Sequence, residues 1–313
     1  MAIVEIRDLV KRYKHLVAVD HFSLSINEGE IYGLLGPNGS GKTTVINCLL
    51  SLLRYDSGDV KIFGQPMSSS RYDLKRRIGL VMQNIGVYDE LTVEENIDYF
   101  CGLYINDKHI RKTYVEDAIE FVALDQFRKF KPKELSGGLL RRLNLACGIA
   151  HKPDLIILDE PTVAVDPQSR NNILDGIKQL AAEGKTVIYT THYMEEVELL
   201  CDRLTIMDQG KELVSGTADE IKAMSNHSEI ITAEIYTLPD ETMAKISELA
   251  DVTKVTYDQN ILTVQFHKGI DHLMNVMRIL STDQIDMMNL SVQKPTLNDV
   301  FLEITGKELR DHV

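Results

Sequence analysis

Gly36-Pro37-Asn38-Gly39-Ser40-Gly41-Lys42-Thr43 fits the spacing G-x-x-x-x-G-K-[ST] at every fixed position, and Thr44 extends it. The run follows the strand-like EIYGLL and opens an apolar helical stretch, the setting in which such a turn cradles phosphates. Glycines let the backbone wrap an anion with its N–H groups turned inward. In that arrangement Lys42 neutralises the β- and γ-phosphates of a nucleoside triphosphate, and the Thr43 hydroxyl reaches Mg²⁺.

The acids such chemistry needs stand at the end of LIILDE, residues 155–160. A buried strand that ends in two carboxylates delivers them where an α/β sheet opens its ligand crevice. Asp159 is expected to hold Mg²⁺ through water. Glu160 is expected to polarise the attacking water as general base, an effect typically worth about 10²–10⁴-fold. His192 follows the strand-like TVIYTT, whose end points at the same crevice, and reads as a γ-phosphate sensor. Gln83, expected to end the strand GLVMQ, reads as a metal and water ligand on a mobile loop.

A second glycine-bearing segment, ELSGGLLRRL, starts at Glu134. Ser136, Gly137 and Gly138 open a helix, and a helix N-terminus is itself an anion site. A plain N-cap by the Ser136 hydroxyl is an equally sound use of the same residues.

The elements that must position these groups follow from periodicity. IVEIR, FSLSIN and EIYGLL read as strands, and the helix after the cradle is expected to run to about Leu53. GDVKIFG reads as a strand, and RRIGLVMQ as a helix end feeding another. LTVEENIDYF carries Thr92 and Glu95 at capping-box spacing, and KHIRKTYVEDAIEFVAL reads as a second helix. QSRNNILDGIKQLAAEG is an amphipathic helix closed by Gly184. LIIL and VIYT, separated by helices, indicate a parallel sheet with helical cover.

After SNHSE, residues 225–229, the pattern changes to strand, helix, two strands across DQN, helix, strand: the β-α-β-β-α-β order of a ferredoxin-like α+β domain. TLNDVFLEITG adds a last helix. The expected division is 1–220, a linker at 221–229, and 230–313.

Composition narrows the function classes. Of the 313 residues, 44% are hydrophobic, enough for a sizeable core, and the net charge is −13. That balance argues against a nucleic-acid binder, which needs a basic face to replace counterions. Cys48, Cys101, Cys147 and Cys201 form no CxxC pair and read as small core residues in a reducing compartment. The N-terminal MAIVEIRDLVKRY lacks the apolar stretch of a signal peptide. VINCLLSLL, the longest apolar-rich run, is far short of the roughly 20 residues that span a bilayer. A membrane role would therefore need another chain to do the spanning.

Together, Tyr13, GPNGSGKT, Gln83, LSGG, LIILDE, Asp166 and His192 resemble the ATP-binding cassette (ABC) ATPases over about residues 1–220. The resemblance implies an α/β P-loop NTPase cassette, a mixed sheet with a helical signature subdomain, with ATP and Mg²⁺ as its ligands. It implies that Tyr13 stacks on adenine. It also implies a head-to-tail dimer of two copies, each lending Ser136, Gly137, Gly138 and Asp166 to the ATP on its partner's cradle.

Two positions depart from the family pattern. Leu139 stands where glutamine is usual, and can join an apolar stripe with Leu143, Ala146 and Ala150. VAVD replaces Ser-Gly-Leu-Asp, putting Ala164 where glycine is usual, and alanine avoids positive φ.

KPTLNDVFLEITGKEL, THYMEEVE and SGGLLRRLNLA are similar to exporter ATPases of the daunorubicin- and linearmycin-resistance type. The implied partner is a separate multi-pass permease, which receives the QNIGVYDELTVEEN segment and holds the protein on the inner face of the cell membrane. The alternatives are the ATPase of a sodium exporter or an importer, or a non-transport regulatory protein that scarcely turns over ATP. Glu160 speaks against the last. A translation-type ATPase would carry two cassettes, and only one LSGG occurs. A chromosome-maintenance ATPase would need sustained heptads, and none appear.

Overall fold

The structure is a computed structural model and describes residues 2–163, 165–225, 229–267 and 272–305. It divides into two compact units, the first extending to Ala218 and the second beginning at Asp219.

The first unit holds two sheets. β1 (Ala2–Tyr13), β2 (Leu16–Asn27), β4 (Ser57–Ile62) and β5 (Gln65–Pro66) form an antiparallel sheet in the order β2-β1-β4-β5. β3 (Ile31–Leu35), β6 (Ile78–Val81), β7 (Leu155–Asp159), β8 (Thr186–Thr191), β9 (Arg203–Asp208) and β10 (Lys211–Gly216) form the larger sheet, ordered β10-β9-β3-β8-β7-β6. Its pairs are parallel except β10 on β9. The sequence anticipates β1 to β4 and β6 to β8, but not β5, β9 or β10, nor that β1, β2, β4 and β5 form a sheet of their own.

Among the described residues of this unit the α-helices are α1 (Lys42–Leu49), α2 (Tyr72–Lys75), α3 (Val93–Gly102), α4 (Lys108–Phe121), α5 (Gly137–Ile149), α6 (Pro167–Ala182) and α7 (Met194–Leu200). α1 is shorter than expected. Leu50 closes it and Ser51 turns to φ +49°, so the apolar run to Leu53 continues as a turn. α3 begins with the expected capping box: Thr92 caps the Glu95 N–H and the Glu95 carboxylate accepts from the Thr92 N–H.

The central strands β3, β7 and β8 are buried along their whole length, on both faces of the sheet, which is why they read as nearly continuous apolar runs. Alternation along β7 divides its side chains. Leu155 and Ile157 join a core with Val4, Phe22, Ile26 and Ile46, against α1 and the antiparallel sheet. Ile156 and Leu158 join the core built by α3, α4, α5 and α6.

Register then fixes the functional edge. Leu35 pairs with Thr191, and Asp159 with Thr190. The segments after β3, β7 and β8 therefore emerge side by side, bringing residues distant in sequence to one crevice.

α8 (Ala218–Lys222) spans the division between the units. The second unit continues with β11 (Glu229–Glu234), α9 (Asp240–Ser247), β12 (Val252–Asp258), β13 (Ile261–Phe266), α10 (His272–Thr282), β14 (Met288–Gln293) and α11 (Leu297–Thr305). Its strands pair antiparallel in the order β12-β13-β11-β14, the ferredoxin-like arrangement. Gln259 and Asn260 both take positive φ in the β12–β13 turn, as a two-residue hairpin turn of the primed type requires. Ile231, Ala233, Leu262, Val264 and Phe266 form one apolar core with Ile246 of α9 and Val276 and Leu280 of α10.

Candidate nucleotide site

The turn between β3 and α1 is shaped as a cradle. Gly39 and Gly41 take φ of +81° and +110°. A Cβ on Gly41 would also lie 2.7 Å from the Ala18 carbonyl oxygen, so a side chain there is excluded both sterically and conformationally. The Ser40 N–H donates to the Pro37 carbonyl, and the Ser40 carbonyl accepts from Gly210 N at 2.8 Å. The Ser40 hydroxyl is buried and has no hydrogen-bond partner among the described residues. A buried polar atom left unsatisfied costs about 1–3 kcal/mol, and a bound phosphate oxygen would satisfy this one.

Lys42 is buried at the base of the turn. Its Nζ donates to the carbonyls of Gly36 at 2.7 Å and Pro37 at 3.1 Å, and lies 3.4 Å from Glu160 Oε1. The Thr43 hydroxyl donates to Asp159 Oδ2 at 3.0 Å. One hydroxyl and one carboxylate fit a Mg²⁺ ion that keeps waters and takes its remaining ligands from phosphates. Among the described residues no cluster of three or more His, Cys, Asp or Glu side chains makes a metal cage.

Thr190 organises both acids. Its hydroxyl donates to Asp159 Oδ1 at 2.6 Å and accepts from the Glu160 N–H at 3.0 Å. Glu160 sits in the left-handed region at φ +49°, which costs a non-glycine residue about 1–2 kcal/mol. Such strain is held by surrounding structure and concentrates at functional sites. Here it aims the carboxylate at Lys42, Gln83 and His192.

Gln83 Nε2 donates to Glu160 Oε2 at 3.0 Å, and His192 Nδ1 lies 3.5 Å from Oε1. Burial alone would raise the Glu160 carboxyl. The nearby His192 ring and the Lys42 charge outweigh it and hold the group below its ordinary range, so it is ionised as a general base must be.

The sequence places Gln83 at the end of a strand, but β6 stops at Val81. The residues beyond are pinned by side chains. Arg141 donates to the Gln83 carbonyl. Asn144 donates to Met82 O at 3.3 Å and accepts from Gly86 N at 3.1 Å. Asn96 binds both backbone groups of Tyr88. Sequence reasoning missed Thr190, Arg141, Asn144 and Asn96. A polar residue inside an apolar helix or strand was the available signal.

Tyr13, Asn38, Gly39, Gly41, Lys42, Thr43, Thr44, Gln83 and Glu160 line one open cleft of about 630 Å³. Tyr13 is 45% exposed at its rim, and Lys11 Nζ lies 5.0 Å from the ring centroid.

Ser136, Gly137 and Gly138 are not among the described residues lining that cleft. Ser136 caps α5, accepting from the Leu139 N–H at 3.3 Å. Asp166 caps α6, accepting from the Ser169 N–H at 3.0 Å, and that donation lowers its pKa. A Cβ on Gly138 would lie 2.3 Å from Ser169 Oγ and 2.8 Å from Asp166 Oδ2, so these two helix starts touch where Gly138 has no side chain. Leu139 packs against the core that contains Leu143, Ala146 and Ala150. Ala164 lies outside the described residues.

Residues 19–163 match the ABC transporter family, and residues 216–305 match the C-terminal domain family of DrrA1-3-like ATP-binding proteins. The linearmycin resistance ATP-binding protein LnrL of Bacillus subtilis (strain 168) is 37% identical, over 98% of this chain and 100% of that protein. The Nod factor export ATP-binding protein I of Burkholderia orbicola (strain AU 1054) is 35% identical over 99% of each. The daunorubicin resistance ATP-binding protein DrrA3 of Streptomyces coeruleorubidus is 32% identical over 96% of this chain and 95% of that protein. Among solved structures, the cassette MJ0796, a dimer in a post-hydrolysis state bound to ADP and Pi, aligns with TM-score 0.63 and 27% identity, over 68% of this chain and 98% of that one. A phosphate cradle, a strained and ionised Glu160, and kinship across both units lead to one conclusion: this chain belongs to the ABC transporter family, as an ATP-hydrolysing subunit with a DrrA1-3-like C-terminal domain.

Proposed function

We propose that this protein powers export of a drug, antibiotic, lipid or peptide through a separate multi-pass permease, from a seat on the cytoplasmic face of the cell membrane. The observation that carries this reading is kinship with resistance and export proteins over the whole chain, including the C-terminal unit. Among the described residues no helix is long and apolar enough to cross a membrane, so the path for the exported compound needs another chain.

ATP lies in the cleft with its adenine on Tyr13 and its phosphates in the Gly36–Thr44 cradle. Lys42 leaves Glu160 for the β- and γ-phosphates. Thr43, Asp159 and Gln83 would hold Mg²⁺, which would supply positive charge to the phosphate oxygens. Glu160 accepts a proton from the attacking water, and His192 donates to the γ-phosphate. Breaking the bond to the β-phosphate bridge oxygen releases ADP and Pi.

The working site is composite. Two chains meet head to tail, and Ser136, Gly137, Gly138 and Asp166 of one complete the γ-phosphate shell of the other. The exposed start of α5 supports this, with its N–H groups and helix dipole available to an anion. Residues 1–220 form the cassette, 221–229 the join and 230–313 a domain that braces or regulates the dimer.

Inside-out vesicles containing the chain and its permease test the export reading. Linearmycin or daunorubicin should accumulate in the lumen only with Mg²⁺-ATP, and not with Glu160→Gln. ATP-driven movement in the opposite sense would contradict it.

A further inference from the structure

Glu196 is 1% exposed and lies on α7, away from the cleft lining. A buried carboxylate is tolerated only where it is paired and hydrogen-bonded. This one is held from two other elements. Arg170 of α6 donates to Oε1 at 2.6 Å. Tyr189 and Thr191 of β8 donate to Oε2 at 2.7 and 2.9 Å.

Each partner leads to a different functional loop. The Thr191 hydroxyl also accepts from the Tyr193 N–H at 3.0 Å, which closes the turn carrying His192. The Arg170 guanidinium lies 4.9 Å from the centre of the Tyr193 ring, and that ring is 4.1 Å from the His192 ring. Arg170 also makes the first backbone bond of α6, its N–H donating to the Asp166 carbonyl at 2.9 Å. The Tyr189 hydroxyl lies 3.2 Å from Thr162, two residues beyond Glu160. One carboxylate thus gathers the turn at His192, the helix capped by Asp166 and the loop that follows Glu160.

We propose that Glu196 is a positioning residue for ATP hydrolysis: it fixes the turn that aims His192 at Glu160 and ties that turn to α6, whose cap is Asp166. Glu196 meets no reacting atom and acts through His192, so the proposal rests on the role assigned to His192 above. Buried networks of this kind are worth more together than their parts, and double-mutant cycles apportion them.

The test uses the full-length chain in single-turnover hydrolysis with enzyme in excess, so that slow rates are readable. Wild type, Glu196→Gln, His192→Ala and the double variant are compared, with ATP affinity and thermal midpoint measured for each. Glu196→Gln keeps the shape but loses the charge and one acceptor. Its hydrolysis rate should fall about 10-fold with ATP affinity within about twofold, and it should add nothing once His192 is gone. Rates that multiply in the double variant would overturn the proposal. So would an unchanged rate in Glu196→Gln alongside a large loss in His192→Ala. An unchanged rate in His192→Ala would overturn the role of His192 itself, and this proposal with it. Should Glu196→Gln fail to fold, Arg170→Gln and Thr191→Val each remove one arm. Each should lower the rate about threefold at constant affinity, again only while His192 is present, and full rates in both would overturn the proposal.

Discussion

α1 and α5 both begin at glycine-rich turns, and the two starts are put to different uses. At α1, Gly41 takes a conformation that side chains rarely adopt, and the Ser40 hydroxyl is buried without a partner among the described residues. At α5, the Ser136 hydroxyl caps the helix, and the missing side chain of Gly138 admits Ser169 and Asp166 of the same chain. The first start is chemically unfinished within the chain and calls for a ligand. The second is structurally finished, and its N-terminus faces outward. Similar glycine-and-serine sequences thus differ in where their needs are met: the α1 side chains wait for a ligand, whereas the Ser136 hydroxyl and the Gly138 gap are used within the chain and only the outward backbone N–H groups of α5 remain to be offered elsewhere.

The largest effect that would break this contrast is expected at Lys42. Lys42→Ala should abolish ATP binding in a nucleotide titration, and affinity like that of the wild type would remove the cradle from the account. Next comes Glu160→Gln, which should lower hydrolysis by about 10²–10⁴-fold while ATP binding and its stoichiometry stay unchanged. Turnover at the normal rate would take the general-base role away from Glu160.

The packing half of the contrast is tested at Gly138. Gly138→Ala places a methyl group against Ser169 and should cost about 1–3 kcal/mol of stability by overpacking, read as a lower denaturation midpoint without ATP. An unchanged midpoint would show that Gly138 is not needed for the internal contact. Ser136→Ala loses a cap and should cost about 1 kcal/mol. It should leave ATP binding by its own cradle intact.

The smallest expected effect concerns pH. Glu160 is held below its ordinary range, so its stabilising contribution is present at neutral pH and is lost only as pH falls through the lowered value. Without His192 that value rises. His192→Ala should therefore begin to lose stability at a higher pH on acidification than wild type does. Denaturation midpoints across an acid series read this directly, and superimposable profiles would contradict the coupling.

Much of the cradle was legible because its requirements are local. Glycines that permit a turn, a lysine at fixed spacing and acids at a strand end sit within short windows. The capping box of Thr92 and Glu95 and the apolar role of Leu139 were readable for the same reason. The polar residues that hold the site were not. Thr190, Arg141, Asn144 and Glu196 act across contacts 31, 58, 62 and 26 residues long, and their polar character within apolar elements gives no sign of which distant partner each one holds. The length of α1 was misjudged because Leu50–Leu53 are apolar, although the chain turns at Ser51. The separate antiparallel sheet depends on pairing between β1 and β4, which periodicity along one strand does not specify.

The central claim is that a working site joins the cradle of one chain to the α5 start of another. Asn38 and Ser136 are both exposed, and of the native thiols Cys48, Cys101 and Cys147 are buried, while Cys201 is partly covered and its pKa is raised by burial. A chain carrying Asn38→Cys and Ser136→Cys on the Glu160→Gln background can therefore be oxidised with and without Mg²⁺-ATP and weighed without reductant. The account predicts an ATP-dependent disulfide between chains, joining position 38 of one to position 136 of the other, with the mass of a dimer. ATP binding accompanied only by a bond within one chain, or by none, would contradict it.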